Sequence, residues 1–394
     1  MNSSNAKNAF RILYLVLNRF TNSARIMRAT QTCSEMGGTA TVFALHDRGL
    51  AVKEVIGGIE IQRFRMVTWR LPKYPYAQLL KCIEYFSRLV LAAVGIRPEI
   101  IYANDPLTLT VGFIVARLTK TRLIYDSHEL YSGVDIKGFF PKWAFRLSLL
   151  PERILAKKVD VVITVSDGIS SQMAKSMGIN RPYVVRNIPR RKQGVVHRKK
   201  SGLLRNTLGI KQERPVILYQ GGMNAERGIL TLVEALALLE HESAVLVFLG
   251  NGPLVSEIKA MVNTYGLGKR VYFHPAVSPD ILLDWTRGAD VGVHPIKGTC
   301  QNHRLCLPNK LFEYIQARLP VVVTDLPEMK KVVEKYGVGE VFRDGDVEDL
   351  AAKIDYVLMS KHKYRSAVSA AAKELNWDVE KHRLIDVYKT VLSR

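Results

Sequence analysis

Tyr219-Gln-Gly-Gly-Met-Asn-Ala-Glu-Arg-Gly228 follows the apolar run Val216–Tyr219 and opens the helical pattern Gly228–Leu239. A buried strand, a glycine-rich turn and a helix start, in that order, are the usual opening of a doubly wound α/β domain. Gly221 and Gly222 remove side chains where a phosphate can approach the backbone. The helix start beyond them brings partial positive charge and free N–H groups to the same place. Arg227, at that end, carries the planar fork that holds a diphosphate through two parallel hydrogen bonds. A plain glycine turn is the competing reading of these ten residues, so the surrounding chain has to decide.

Outward from this segment, short apolar runs keep alternating with helical patterns. On its C-terminal side strands are expected at Ala244–Leu249, Val271–Phe273, Val291–His294, Val321–Val323 and Gly339–Val341. Helices are expected at Val255–Tyr265, Pro279–Arg287, Asn309–Arg318 and Val347–Met359. On the N-terminal side the strand runs are Arg11–Leu17, Ala40–Leu45, Ile59–Phe64, Ile100–Ala103, Arg122–Tyr125, Val159–Thr164 and Tyr183–Val185, with helices such as Ser23–Met36, Tyr76–Val94 and Pro106–Thr119. Continuous apolar strands separated by helices indicate a parallel sheet covered on both faces. The 394 residues are too many for one ordinary core. The polar, basic stretch Pro189–Ser201 therefore reads as a linker between domains at 1–190 and 202–375, with 376–394 as a C-terminal helix. Two doubly wound domains in tandem would face each other across a cleft at the carboxyl ends of their strands, where ligands bind.

Composition excludes several classes. Hydrophobic residues at 47% and charged residues at 24% are ordinary for a globular chain. Cys33, Cys82, Cys300 and Cys306 form no C-x-x-C pair, which argues against a zinc site or a disulfide framework and fits a reducing cytosol. The net charge of +21 is unevenly placed: residues 1–200 hold 32 of the 57 Lys and Arg but only 13 of the 36 Asp and Glu. A one-sided basic surface expects a polyanion, either nucleic acid or an anionic membrane. The basic residues fall in no recognisable nucleic-acid module. Leu79–Ile96, the most apolar stretch, is interrupted by Lys81, Glu84 and Arg88, so no bilayer span is expected. Ile12–Leu17 reads as a first strand, not a signal peptide.

Two further segments carry chemistry. Leu305-Cys-Leu-Pro-Asn-Lys-Leu-Phe-Glu313-Tyr-Ile-Gln-Ala-Arg-Leu-Pro320 places Pro308, Asn309 and Lys310 at a helix start and Glu313 one turn on. That supplies a second cation and a carboxylate suited to a ribose diol, although a capped amphipathic helix would look the same. Tyr125-Asp-Ser-His-Glu-Leu130 sets His128 at the carboxyl end of a strand, with Asp126 or Glu129 available to orient it. Asp344-Gly-Asp346 mimics a metal-binding D-x-D, but it precedes an apolar-periodic helix, and Asp346 as its N-cap is the simpler reading.

Together these segments resemble the retaining glycosyltransferases of family 4, with the GT-B fold, over nearly the whole chain. One subgroup is especially similar in the Arg25 region, Tyr125–Leu130, Tyr219–Gly228, Gly250-Asn-Gly-Pro253, Leu307–Tyr314 and the ending Trp377–Val391, which in that fold returns to the first domain. The resemblance implies donor binding by Gly221, Gly222, Arg227, Asn309, Lys310 and Glu313, with Glu313 on the ribose and Arg227 and Lys310 on the diphosphate. Backbone around Phe273–Val277 would meet the base. The catalytic set would be His128, beside the donor sugar on the acceptor side, with Arg227 and Lys310. No metal and no cofactor is implied, the nucleoside diphosphate sugar being a substrate. Leu305 stands where the family often has a first glutamate, so its sugar contact is missing or comes from Asn302 or His303. Gly222 replaces a frequent arginine, and Phe20-Thr-Asn-Ser23 replaces a glycine-rich loop.

The resulting expectation is sugar transfer to an acceptor hydroxyl with retention. A nucleotide-sugar epimerase of similar architecture and a basic nucleic-acid-binding protein are the alternatives. Phe139–Leu150, with Phe140, Trp143 and Leu147 beside Lys142 and Arg146, and the stretch Trp69–Tyr76 mix aromatics with cations in the basic half. They suggest a cytoplasmic protein peripheral on the inner membrane face, acting on a lipid-linked glycan.

Overall fold

The computed structural model describes residues 10–21, 23–72, 74–134, 149–191 and 202–394. Residues 135–148, which hold the aromatics Phe139 to Phe145, and residues 192–201 of the expected linker lie outside that range, as does Asn22. The described residues form two compact units: those within 10–132, 149–186 and 381–394 make one, and 133–134, 187–191 and 202–380 the other.

The first unit is built on eight strands: β1 (Arg11–Leu15), β2 (Thr39–Leu45), β3 (Lys53–Ile56), β4 (Ile59–Phe64), β5 (Ile100–Ala103), β6 (Arg122–Ser127), β7 (Val161–Thr164) and β8 (Tyr183–Val184), in the order β3-β4-β2-β1-β5-β6-β7-β8. Every pairing is parallel except β3 with β4. The chain winds outward from β1 through β2 to β4, then returns to lay β5 on the other side of β1, in register Leu13↔Ile101. The direction of winding therefore reverses between β1 and β5. Ile12–Leu15 and Ile100–Ala103 are wholly buried, because helices cover both faces.

The edge strand β3 was not expected. Lys53-Glu-Val-Ile buries almost nothing, so it carries no apolar run. Its signal is the turn that follows, where Gly57 (φ 58°) and Gly58 (φ 81°) both take left-handed backbone and fold β3 back onto β4. The last helix, Trp377–Leu392, joins the first unit from Lys381 onward. Tyr388 Oη lies 3.0 Å from Tyr14 Oη, and Lys381 Nζ lies 2.8 Å from Glu35.

The second unit carries six parallel strands: β9 (Val216–Gln220), β10 (Val245–Leu249), β11 (Val271–His274), β12 (Val291–His294), β13 (Val321–Thr324) and β14 (Gly339–Phe342), in the order β11-β10-β9-β12-β13-β14. Here the winding reverses between β9 and β12, paired at Ile217↔Val291. Asp346 is the N-cap of helix Val347–Met359, accepting from Asp349 N at 2.9 Å, while Asp344 accepts from Gly298 N at 2.8 Å. The Asp-Gly-Asp segment is thus committed to the backbone.

Candidate active site

In doubly wound sheets, ligands bind outside the carboxyl ends of the strands where the winding reverses. In the second unit those ends are Gln220 on β9 and His294 on β12, and the residues singled out from the sequence gather there. Gln220 is buried and anchored twice. Its Oε1 accepts from Thr286 Oγ1 at 2.8 Å, and its Nε2 donates to Glu313 Oε2 at 2.6 Å. Glu313 lies on helix Asn309–Gln316, next to Tyr314, whose buried hydroxyl accepts from Gln220 N at 3.1 Å. Gly292 on β12 makes this packing possible: a Cβ there would fall 2.3 Å from the Tyr314 ring.

Lys310, one turn before Glu313, reaches across the loop after β9. Its Nζ stands 4.1 Å from the centroid of the Tyr219 ring, a cation–π contact, and 3.4 Å from where a Cβ on Gly221 would be. Burial of the ammonium, and then the charge of Arg227, lower its pKa to about 7, against the opposing pull of Glu313. Arg227 closes the short 3-10 turn Ala225–Arg227. Gly228 follows at φ 65°, so close to Pro295 that a Cβ would lie 1.6 Å from its carbonyl oxygen. Among the described residues, none makes a hydrogen bond or ion pair with the Arg227 guanidinium. Asn309 is exposed at the start of the same helix as Lys310.

Gly221 contributes shape. Its φ of 111° is open only to glycine at low cost, and its N–H is spent on Leu249 O at 2.8 Å. Met223 N donates to Asn251 O at 2.9 Å. Gly250 and Gly252 bring the second loop this close, since a Cβ on either would meet Gly221 O at 2.1 Å or Met223 O at 2.2 Å. Gly222 is exposed at the tip, its carbonyl accepting from Tyr219 Oη at 2.8 Å.

His294 was missed in the sequence. It is fully buried, and neither ring nitrogen has a hydrogen-bond partner among the described residues. Burial, then the charges of Lys310, Arg227 and His303, hold its pKa well below the usual histidine value, so the ring is neutral. The rule applied to His128, a histidine ending a buried strand, would have found it. Asn302 is buried in the short helix Gln301–Leu305, and His303 Nδ1 lies 3.2 Å from Thr299 Oγ1.

The first unit has a recess of about 490 Å³ at its own reversal point, lined by Asn18 after β1, Asn104 and Asp105 after β5, and His128 and Tyr131 after β6. His128 packs edge-on to Tyr131 at 6.2 Å between ring centroids, and its Nδ1 is buried without a partner among the described residues. Asp126 does not orient it. That carboxylate is fully buried, holds Arg25 through two hydrogen bonds of 2.6 Å, and accepts from Tyr102 Oη at 2.6 Å. The Arg25 segment is therefore a strut of the core. The carboxylate that interacts electrostatically with His128 is Asp105, the N-cap of helix Pro106–Thr119; burial raises its pKa, and the Thr108 N–H and the His128 charge oppose the rise. Beneath the loop, buried Glu152 accepts from Tyr125 Oη at 2.6 Å, and burial pushes its pKa up to about 7.

Residues 201–375 match the family of glycosyl transferases group 1, and residues 23–189 match the glycosyl transferase 4-like domain. The two matches, both to glycosyltransferase domains, together cover most of the chain. The D-inositol 3-phosphate glycosyltransferase of Xylanimonas cellulosilytica is 28% identical to this chain over 198 residues, covering 48% of this chain and 46% of that one. The chain thus matches about half the length of that relative. An uncharacterized glycosyltransferase of Methanocaldococcus jannaschii is 24% identical over 358 residues, 86% of this chain and 87% of that protein. Among solved structures, sucrose-phosphate synthase from Thermosynechococcus elongatus superposes with a TM-score of 0.79 at 16% identity, over 98% of this chain and 99% of that one. Anabaena HepE in complex with UDP-glucose gives 0.76 at 18% identity, over 96% and 99%. The chain therefore has the GT-B fold, two Rossmann-like units with sheets parallel but for the edge strand β3, as its motifs suggested.

Proposed function

We propose that this transferase moves a hexosyl group from a nucleoside diphosphate sugar to an acceptor hydroxyl, with retention at the anomeric carbon and without a metal. The observation that carries the reading is the meeting of Arg227, Lys310 and Glu313 where the second sheet reverses. The bond from the anomeric carbon to the diphosphate oxygen breaks, and negative charge grows on the departing phosphate. Arg227 and Lys310 are fixed cations aimed at that charge, the largest single device available to such a reaction. The acceptor oxygen forms the new bond, and its proton passes to the departing phosphate. Glu313, held by Gln220, takes the ribose diol. His128, in the first unit's recess, faces the acceptor. The UDP-glucose complex of HepE, a protein of the same fold, supports this donor class.

The first domain, 1–190, is assigned to the acceptor and 202–375 to the donor, with 376–394 completing the first. The basic surplus of residues 1–200 supports an anionic, lipid-linked glycan acceptor of cell-envelope polysaccharide synthesis, met by a cytoplasmic enzyme peripheral on the inner membrane face. The test is a thermal-shift screen over nucleotide sugars, then turnover on lipid-linked oligosaccharides, with the product's anomeric configuration read by NMR. Arg227→Ala should lower turnover by about 10²–10³, and a chelator should leave turnover unchanged. Wild-type turnover and donor affinity in purified Arg227→Ala would refute the role of Arg227. An epimer formed from donor alone would make the protein an isomerase.

A further inference from the structure

Helix Pro75–Ile96 is apolar on two opposite faces. Ala77, Tyr85, Leu89 and Ala93 are buried against the first unit, with Tyr85 Oη donating to Val16 O at 2.9 Å. Yet Tyr76, Leu80, Ile83, Leu91 and Val94, spaced by three, four and eight residues, form a second stripe that is open: Leu91 is 76% exposed and Tyr76 65%. An open apolar stripe of this size, on a helix whose opposite face is already buried, is normally covered by protein or lipid. The helix spans 22 residues and still cannot cross a membrane, and no other helix among the described residues is long and apolar enough to do so.

The stripe does not stand alone. Right-handed crossovers put helices Pro75–Ile96, Pro106–Thr119 and Leu150–Leu155 on one face of the sheet, and they pack side by side there. The middle helix exposes Leu107, Ile114 and Leu118, the last Leu150 and Ile154. Around these lie the exposed cations Arg97, Arg117, Lys120, Arg153, Lys157 and Lys158. The sole carboxylate of helix Pro75–Ile96, Glu84, is spent on the N–H groups of Val67 and Thr68 and on Arg88. Exposed leucines and isoleucines flanked by cations, with Glu84 paired to Arg88 and the nearby Glu99 to Arg11, complement an anionic lipid surface. A second copy of this same basic face would be repelled by like charge.

We infer that this three-helix face seats the first unit on an anionic bilayer, its apolar stripes at the acyl boundary and its flanking cations against the headgroups. The inference rests on the lipid-linked acceptor proposed above. It centres the docking surface on these helices and shares only Tyr76 and Leu150 with the stretches Trp69–Tyr76 and Phe139–Leu150 that the sequence suggested, the second of which lies mostly outside the described residues. Flotation with phosphatidylglycerol–phosphatidylcholine vesicles tests it, with pure phosphatidylcholine as control. The full chain should float with the anionic vesicles at low salt and detach progressively as salt rises. The triple variant Leu80→Glu/Ile83→Glu/Leu91→Glu should bind at least about tenfold more weakly, with an unchanged thermal melt. If the triple variant does not fold, Leu91→Ser/Leu118→Ser serves instead and should weaken binding in the same direction. Wild-type protein that stays unbound, or folded variants that float as well as wild type, overturns the inference. So does a wild-type dimer that the variants split without any flotation, which would make the face a contact between copies. Binding of UDP or GDP in solution, read in parallel, reports the donor site alone. Its loss would count against the transferase reading and leave the docking face standing.

Discussion

Lys310 should bind its ligand as an ammonium while spending much of its time as an amine without it. Its pKa of about 7 in the free protein means that at pH 8 only about one lysine in ten is protonated there. A diphosphate in place of open solvent brings negative charge that restores the ammonium, so binding must take up a proton. The expected uptake is about 0.9 proton per site at pH 8 and about 0.1 at pH 6. The sign follows because a lowered pKa of a cation marks a disfavoured charge, and the ligand removes the penalty. Affinity should weaken by up to about tenfold for each pH unit above 7. Isothermal titration of UDP and GDP at pH 8, in HEPES and in Tris, measures the uptake as the difference in heat between two buffers of unlike ionisation enthalpy. The second ionisation of a terminal phosphate, near about pH 6, is complete at pH 8 and contributes little. Lys310→Met keeps the stem and should abolish the buffer dependence. A wild-type uptake near zero at pH 8, or an uptake that survives Lys310→Met, would refute the reasoning. The same depressed pKa predicts that the contribution of this group to the free protein's stability rises between pH 7 and about pH 10, where the unfolded chain holds a proton that the native one has lost.

Glu313→Ala removes the carboxylate held by Gln220 and should raise the donor dissociation constant by about 10–100-fold, the worth of a hydrogen bond to a charged group, with little change in the acceptor KM. Asp126→Ala strands the buried Arg25 guanidinium and should cost about 3–5 kcal/mol in denaturant unfolding; a loss below about 1 kcal/mol would show that the pair does not brace the first unit. Gly228→Ala drives a methyl into Pro295 O and should lower the melting temperature and abolish diphosphate binding together, whereas retained UDP or GDP affinity would show that the turn relaxes freely.

Both sheets were legible because buried parallel strands leave unbroken apolar runs, and Val291–His294 was bounded correctly on that signal alone. The strand that escaped, Lys53–Ile56, lies on an edge, buries almost no surface and so leaves no such run. At the site, motif and spacing brought Gly221, Lys310 and Glu313 to one place, because a strand end and a helix start are local features. What spacing could not supply was pairing between distant segments. Asp126 stands two residues from His128, yet its partner is Arg25, 101 positions away. Gln220, the residue that holds Glu313, gave no sign in the sequence, where the strand was expected to end at Tyr219.

The glycines at 221, 250 and 252 interlock two backbones so closely that neither loop can yield without parting from the other. A donor meets that side of the site already shaped, so little ordering entropy is lost on binding there. The same stiffness means that a change of sugar cannot be accommodated by remodelling the 221–223 turn. On the donor reading proposed above, discrimination between one hexose and another would then fall to residues outside the clasp, among them Cys300–Leu305, a five-residue helix with its cap that holds Asn302 and His303. Libraries meant to redirect the donor should be concentrated on those six positions and should leave the clasp untouched.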